Sequence, residues 1–306
     1  MDIGIMIEGQ DGLTWTKWQR LARAVEDLGF TGLYRSDHYT NASPPNKASL
    51  ELWISLTWLA SHTARIAFGP LVTPASFRHP SITARMAAAV DDLSKGRLRL
   101  GLGAGWQARE HQMFGRELLD VGPRFDRFRE YLEVVTRLLR SDEPVSFEGE
   151  YYALRDAILL PRPQRSGGPP ITVGGNGPKR TLPLAAEFAD EWNAVFCTPE
   201  RWMELNARLD HLLAVRGRDP DDVRRTMMTT IIFGSDEAAL RARLEERGQS
   251  ATEARSSGAI VGTSGAVRDQ LSAWAEAGLD GVMLQWLDME DVEGLAALSE
   301  AVREVL

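Results

Sequence analysis

The stretch RIAFGPLVTPASFRHPSITARMAAAVDDLSKGRLRLGLGAGW, residues 65–106, decides the fold. It opens on an apolar run, Arg65 to Val72, and closes on a second, Arg97 to Leu102; both are too short for helices. Between them Ile82, Met86, Ala89, Val90 and Leu93 fall on one face of a helix, with Ser81 as its expected N-cap. Two short strands joined by an amphipathic helix form a parallel pair with a right-handed crossover.

The same unit repeats on either side. Asp2 to Ile7 reads as the first strand, followed by a helix capped by Thr14 and carrying Trp15, Trp18, Leu21, Ala22, Val25 and Leu28. Thr31 to Arg35 is the second strand and Leu50 to Ala60 its helix. After Arg97 to Leu102 comes a long helix, Arg124 to Leu139, then a hairpin, Val145 to Leu154, turning at Glu148-Gly149. Strands follow at Ile171–Gly174, Glu191–Phe196, Thr226–Phe233 and Gly281–Leu284, each with a helix: Lys179–Phe188, Glu200–Val215, Asp236–Arg247 with Ala266–Ala277, and Val292–Val305. Residues 249–261 are polar and small and stay unassigned. Eight such units without a linker predict one domain over residues 1–306, a closed (β/α)8 TIM barrel with insertion segments; an open doubly wound sheet is the alternative.

Composition narrows the function. The 306 residues carry a net charge of −8, which disfavours nucleic acid as a partner. No apolar run reaches the roughly 20 residues needed to span a bilayer. The N-terminus lacks a signal-peptide layout, and the single cysteine, Cys197, fits a reducing compartment, so a cytoplasmic location is expected. No metal-ligand cluster, phosphate-binding Walker loop or Gly-x-Ser-x-Gly elbow occurs, so neither a metal nor a nucleophilic serine is expected.

In a barrel of this class the chemistry gathers just after each strand. There lie Ser36-Asp37-His38 after the second strand, Thr73-Pro74 to Pro80 after the third, Gly101-Leu102-Gly103-Ala104-Gly105-Trp106 after the fourth, Gly174-Gly175-Asn176-Gly177 after the fifth and Phe196-Cys197 after the sixth. His38 can exchange a proton near neutral pH, with Asp37 fixing its tautomer or raising its pKa; an N-capping Asp beside a half-exposed His is the plain alternative. Gly103, Ala104 and Gly105 allow backbone to approach a ligand, or else tight strand-end packing. Gly174 to Gly177, at the start of a helix, suit an anion, with Lys179 and Arg180 adding contacts. Trp106 and Phe196 are candidate pocket walls.

These segments together resemble the bacterial luciferase-like superfamily, and within it the branch that uses the deazaflavin coenzyme F420. The resemblance rests on Ser36-Asp37-His38, on Leu71-Val72-Thr73-Pro74 with Phe77-Arg78-His79-Pro80, on Gly96 to Trp106, on Gly174 to Gly177 and on Ala189-Asp190-Glu191-Trp192-Asn193. It implies a barrel, usually dimeric, in which His38 and Asp37 lie beside the deazaflavin ring with His38 as proton donor or acceptor. It implies a non-proline cis peptide at Pro70-Leu71 backing the ring, with Thr73, Gly103, Ala104 and Gly105 lining the cofactor and Gly174, Gly175, Asn176 and Gly177 cradling its phosphate. Sugar-phosphate dehydrogenases of this branch carry an acidic residue where this chain has Trp106, which implies a more apolar small-molecule substrate. The expected activity is hydride transfer, with reduction favoured. A flavin mononucleotide (FMN) monooxygenase and a catalytically silent cofactor-binding protein are the alternatives.

Overall fold

The computed structural model describes residues 1–303. The strands are β1 Asp2–Ile7, β2 Gly32–Arg35, β3 Ala67–Pro70, β4 Thr73–Pro74, β5 Leu100–Gly103, β6 Val145–Glu148, β7 Ala153–Ala157, β8 Ile171–Gly174, β9 Glu191–Val195, β10 Arg224–Phe233, β11 Ile260–Gly262 and β12 Gly281–Gln285. The helices are α1 Trp15–Asp27, α2 Leu52–His62, α3 Pro80–Leu93, α4 Ala108–Met113, α5 Val121–Arg140, α6 Thr181–Phe188, α7 Pro199–Val215, α8 Glu237–Glu246, α9 Ala251–Ser256, α10 Ser264–Glu276 and α11 Val292–Val302.

Every pairing of the main sheet is parallel, and its strands follow one another around a ring in chain order, from β1 beside β2 to β12 beside β1. An open doubly wound sheet reverses its strand order at a switch point, and this one does not. The third member of the ring is a broken strand. Its first half, β3, pairs with β2 from Gly32↔Ala67 to Arg35↔Pro70; its second half, β4, pairs with β5 through Thr73↔Leu102 and Pro74↔Gly103. The ring closes below the break, where Phe68 N donates to Arg97 O at 3.1 Å and Arg99 N to Phe68 O at 2.8 Å. Glycine permits this closure, because a Cβ on Gly69 would lie 1.9 Å from the Arg99 carbonyl oxygen.

The helices seal the outside of the ring. Trp18, Leu21, Ala22 and Val25 of α1 and Leu56 and Leu59 of α2 are buried in one core, and Trp18 Nε1 donates to Ser55 O at 3.0 Å. Trp192 of β9 stacks on Trp202 of α7 at 5.4 Å between ring centres. Inside the ring, Met6, Tyr34, Leu71, Met228 and Met283 form a separate apolar cluster. Among the described residues no helix is long and apolar enough to cross a membrane.

Several local expectations shift. His79, not Ser81, caps α3: Pro80 takes the first helical position, where its missing N–H and fixed φ cost nothing, and the His79 ring accepts from Ser81 N. The hairpin turns over Gly149–Tyr152, slightly later than Glu148-Gly149, because Glu130 of α5 accepts the amides of Glu150, Tyr151 and Tyr152 at 2.7, 2.9 and 3.1 Å. The unassigned residues 249–261 hold α9, started by a Ser250/Glu253 capping box, and the beginning of β11, which extends β10. The cis peptide joins Leu71 to Val72, not Pro70 to Leu71. The ladder with β2 explains the offset: Pro70 is still paired with Arg35, and Leu71 N donates to Arg35 O at 2.8 Å, so the chain turns only afterwards. Of the final helix, Glu304 and Val305 lie outside the described residues.

Substituting Gly69 by Ala is expected to destabilise the chain by about 2–3 kcal/mol, because the added carbon meets backbone that cannot swing aside. Gly265→Ala in α10, where a Cβ meets nothing within 4 Å, is the control and should be neutral or mildly stabilising. Urea unfolding of both variants checks this; equal midpoints would remove Gly69 from the account of barrel closure.

Candidate functional site

A cavity of about 620 Å³ opens at the C-terminal ends of the strands. Its wall includes His38 after β2, Leu71 and Val72 at the strand break, Gly103, Ala104, Gly105 and Trp106 after β5, Gly174 and Gly175 after β8, and Phe196 after β9. The rule that barrel chemistry sits at strand exits therefore brings these segments together. Pro70, Thr73, Asn176, Gly177 and Asp37 stand behind the wall rather than in it.

Asp37 does not hold His38. Its carboxylate faces the broken strand, accepting from Thr73 Oγ1 and from Arg78, whose other guanidinium nitrogen reaches Glu51 at 2.6 Å. It thus ties the far half of the strand and its loop to β2. The partner of His38 is Glu110 on α4, a residue that strand exits do not point to. Glu110 is fully buried; one oxygen lies 2.7 Å from His38 Nδ1 and the other accepts Tyr39 N at 2.8 Å. A carboxylate taking a backbone N–H on one side acts as acceptor for the ring on the other, so Nδ1 carries a proton and Nε2 is left for the cavity. Burial pulls the His38 pKa down, but the hydrogen bond and charge of Glu110, with smaller help from Glu8 and Asp37, outweigh it and raise the pKa above its ordinary value. Trp106 meets the same ring edge-on at 5.6 Å.

His111, next to Glu110, is fully buried, whereas His38 is half-buried. Its Nδ1 faces Gln107 O at 2.7 Å and its Nε2 faces Ser76 Oγ at 2.7 Å, so it fastens α4 to the loop after β4.

The glycines do two jobs. A Cβ on Gly103 would come within 2.5 Å of Val72 Cγ2, and one on Gly174 within 3.0 Å of Val72 Cγ1. Val72 therefore lies in the space that side chains at β5 and β8 would fill, and the strand-end packing reading holds for Gly103. Gly175 has φ of +122°, a value that side chains rarely adopt, and starts the turn into α6. Asn176 pairs with β9, its amide nitrogen donating to Val195 O at 2.6 Å and its oxygen accepting Val195 N at 2.9 Å. The cation on this side of the cavity is Arg124 of α5, rather than Lys179 or Arg180; it is held by Gly105 O at 3.1 Å and Leu119 O at 2.9 Å. Arg180 stacks over Phe125, another wall residue.

The opposite side was legible but unread. Glu8 and Gln10 follow the first strand and Gln285 ends the last, so the strand-exit rule applied to β1 and β12 finds them. Arg124 and Glu110 had no such signal, since both sit on helices beyond an irregular segment.

A family model described as luciferase-like monooxygenase matches residues 1–255. The chain belongs to this family. Among its relatives, an F420-dependent glucose-6-phosphate dehydrogenase of Microbacterium testaceum is 31% identical over 69% of this chain and 62% of its own length. An F420-dependent hydroxymycolic acid dehydrogenase of Mycobacterium tuberculosis is 32% identical over 72% of this chain and 60% of its own. The chain thus spans about three fifths of the length of the curated relatives it matches. The solved structure of an F420-dependent secondary alcohol dehydrogenase in complex with an F420-acetone adduct superposes with a TM-score of 0.86 at 21% identity, covering 100% of this chain and 99% of that one. This last likeness shows that the two chains share one fold.

Removing the carboxylate by Glu110→Gln should move the His38 titration to lower pH, because burial then acts with less opposition. The sign for stability follows: a raised folded pKa gives a contribution present below the ordinary histidine value and lost as pH rises through the folded one. NMR titration of the imidazole in both proteins reads the shift, and an unchanged midpoint would detach Glu110 from His38.

Proposed function

We propose that this luciferase-like barrel is a coenzyme F420-dependent oxidoreductase acting on a small organic molecule, with His38 as the proton donor or acceptor. One observation carries the reading: a single cavity joins a charge-assisted histidine, an apolar step at Leu71–Val72 and an anion-suited end at Gly174, Gly175 and Arg124. The names of the relatives support the cofactor assignment. The volume lies within the range of cofactor pockets, and the residues fit a flat ring with an anionic tail. Leu71 and Val72 would back the ring, Ala104 and Gly105 flank it, and the Gly174–Gly175 turn with Arg124 would hold the tail.

When bound, the deazaflavin supplies or takes up a hydride. The chain's own part is to orient, to exclude water and to manage the proton. His38 holds it at Nε2, and Glu110 keeps the ring in one tautomer and stabilises its charged form. Trp106, with Phe196 and Met228, gives an apolar wall that suits an apolar substrate, and reduction of an activated double bond, imine or carbonyl in it is the direction we favour. The reading includes a cytoplasmic homodimer; exposed Trp15, Ile54 and Ile82 on α1, α2 and α3 offer an apolar face to a second copy.

Purified protein titrated with F420 and with FMN tests this. F420 should bind more tightly, and His38→Ala should lower turnover by about 10²–10⁴-fold while leaving coenzyme affinity within about threefold. FMN bound in preference, with substrate-coupled oxygen uptake, would make the protein a monooxygenase. Turnover unaffected by His38→Ala would remove the histidine from the chemistry, and binding of neither coenzyme would end the reading.

A further inference from the structure

Glu8 lines the cavity and, beyond its small charge effect on His38, has no part in the proposed function. It follows β1, and in the ring β1 lies four strands from β8, directly across from the Gly174–Gly175 turn. Its two side-chain hydrogen-bond partners are both neutral. Gln285 Nε2 donates to one carboxylate oxygen at 2.7 Å and Gln10 Nε2 to the other at 2.8 Å.

The orientation of these amides is set from behind. Ser36 Oγ accepts Gly9 N at 2.9 Å, so its own proton goes to Gln10 Oε1 at 2.6 Å, which turns the Gln10 amide nitrogen towards Glu8. Thr230 Oγ1 donates to Gln285 Oε1 at 2.8 Å and fixes the second amide in the same sense. Four groups from β1, β2, β10 and β12 therefore present two N–H donors to one carboxylate. Such donors engage both oxygens without cancelling the carboxylate's charge, and each oxygen keeps acceptor capacity for the cavity.

We propose that Glu8 is the recognition group for a substrate bearing a cationic nitrogen, an ammonium or iminium, on an otherwise apolar body. The inference rests on the proposed function, because it assigns the space opposite the anion-suited end to the substrate. Charge divides the cavity accordingly: Arg124 and the glycine turn stand on one side and Glu8 on the other, so a polyanionic coenzyme is repelled from Glu8 and drawn across. Met6, Met228, Val195 and Trp106 supply the apolar surroundings in which an unpaired carboxylate gains most from a cation.

Calorimetric titration tests this with cyclohexylamine, cyclohexanol and cyclohexanecarboxylate at neutral pH, on protein loaded with F420 and on coenzyme-free protein. The wild type should bind the ammonium at least about tenfold more tightly than the alcohol, as expected for a charged hydrogen bond, and the carboxylate most weakly. Glu8→Gln should lose that margin while alcohol binding stays within about twofold. Because a Gln here opposes amide to amide, Glu8→Ser, which leaves room for water, is the second variant and should show the same loss. An ammonium no better than the alcohol, a margin that survives both variants, or no binding of any of the three overturns the proposal. Failure of F420 to bind the wild type overturns the proposed function instead, and the ligand order in coenzyme-free protein is then read alone.

Discussion

Everything at the mouth of this barrel depends on two places where backbone meets backbone with no room for a side chain. Gly69 faces the Arg99 carbonyl, and Gly101 faces the carbonyl of Pro70, to which a Cβ would approach within 2.1 Å. These approaches seat the third strand against the fourth low in the ring; above them the strand leaves β2, and its upper half pairs with β5. The break lifts Leu71 and Val72 into the cavity, Val72 settles beside Gly103 and Gly174, and Asp37 secures the upper half through Thr73 and Arg78. A side chain at either glycine would push apart the elements that carry the ligand-facing residues, although neither glycine touches the cavity.

The cavity's electrostatics are assembled from different layers of the fold. Glu110 is placed by a short helix that begins only after the glycine-rich turn, and His111 on the same helix locks it to the loop after the broken strand. The charge on His38 thus depends on a helix that lies between two βα units rather than on a strand exit. A buried carboxylate next to an imidazole is favourable only if both are hydrogen-bonded in full, and the Tyr39 amide completes the set.

The strands were readable because each is a short apolar run between polar or glycine boundaries, and because a regular alternation leaves few topologies. His38, Trp106, Gly174 and Phe196 were readable as strand exits. What failed was side-chain direction. Asp37 and His38 are neighbours in sequence, yet one looks to Arg78 and the other to Glu110, and adjacency along extended chain sends side chains to different sides. The cis bond was placed one residue early because its position follows from the hydrogen-bond register with β2, which depends on a non-local pairing. Arg124 was hidden for a similar reason: it joins the wall only through the packing of α5 over the Gly105 turn.

The position of β1 has a consequence for how the molecule is made. This strand carries Glu8 at its end and sits between β2 and β12, so its second neighbour is residues 281–285. During synthesis it emerges long before residues 281–285 and waits for them with one row of peptide groups unpaired. An apolar strand with an open edge is a template for the wrong partner. The acidic residue that bounds the strand, Asp2, later meets Arg224 and so helps to seat it. Nascent chains of this barrel therefore carry an open strand edge at β1 until β12 emerges to cover it.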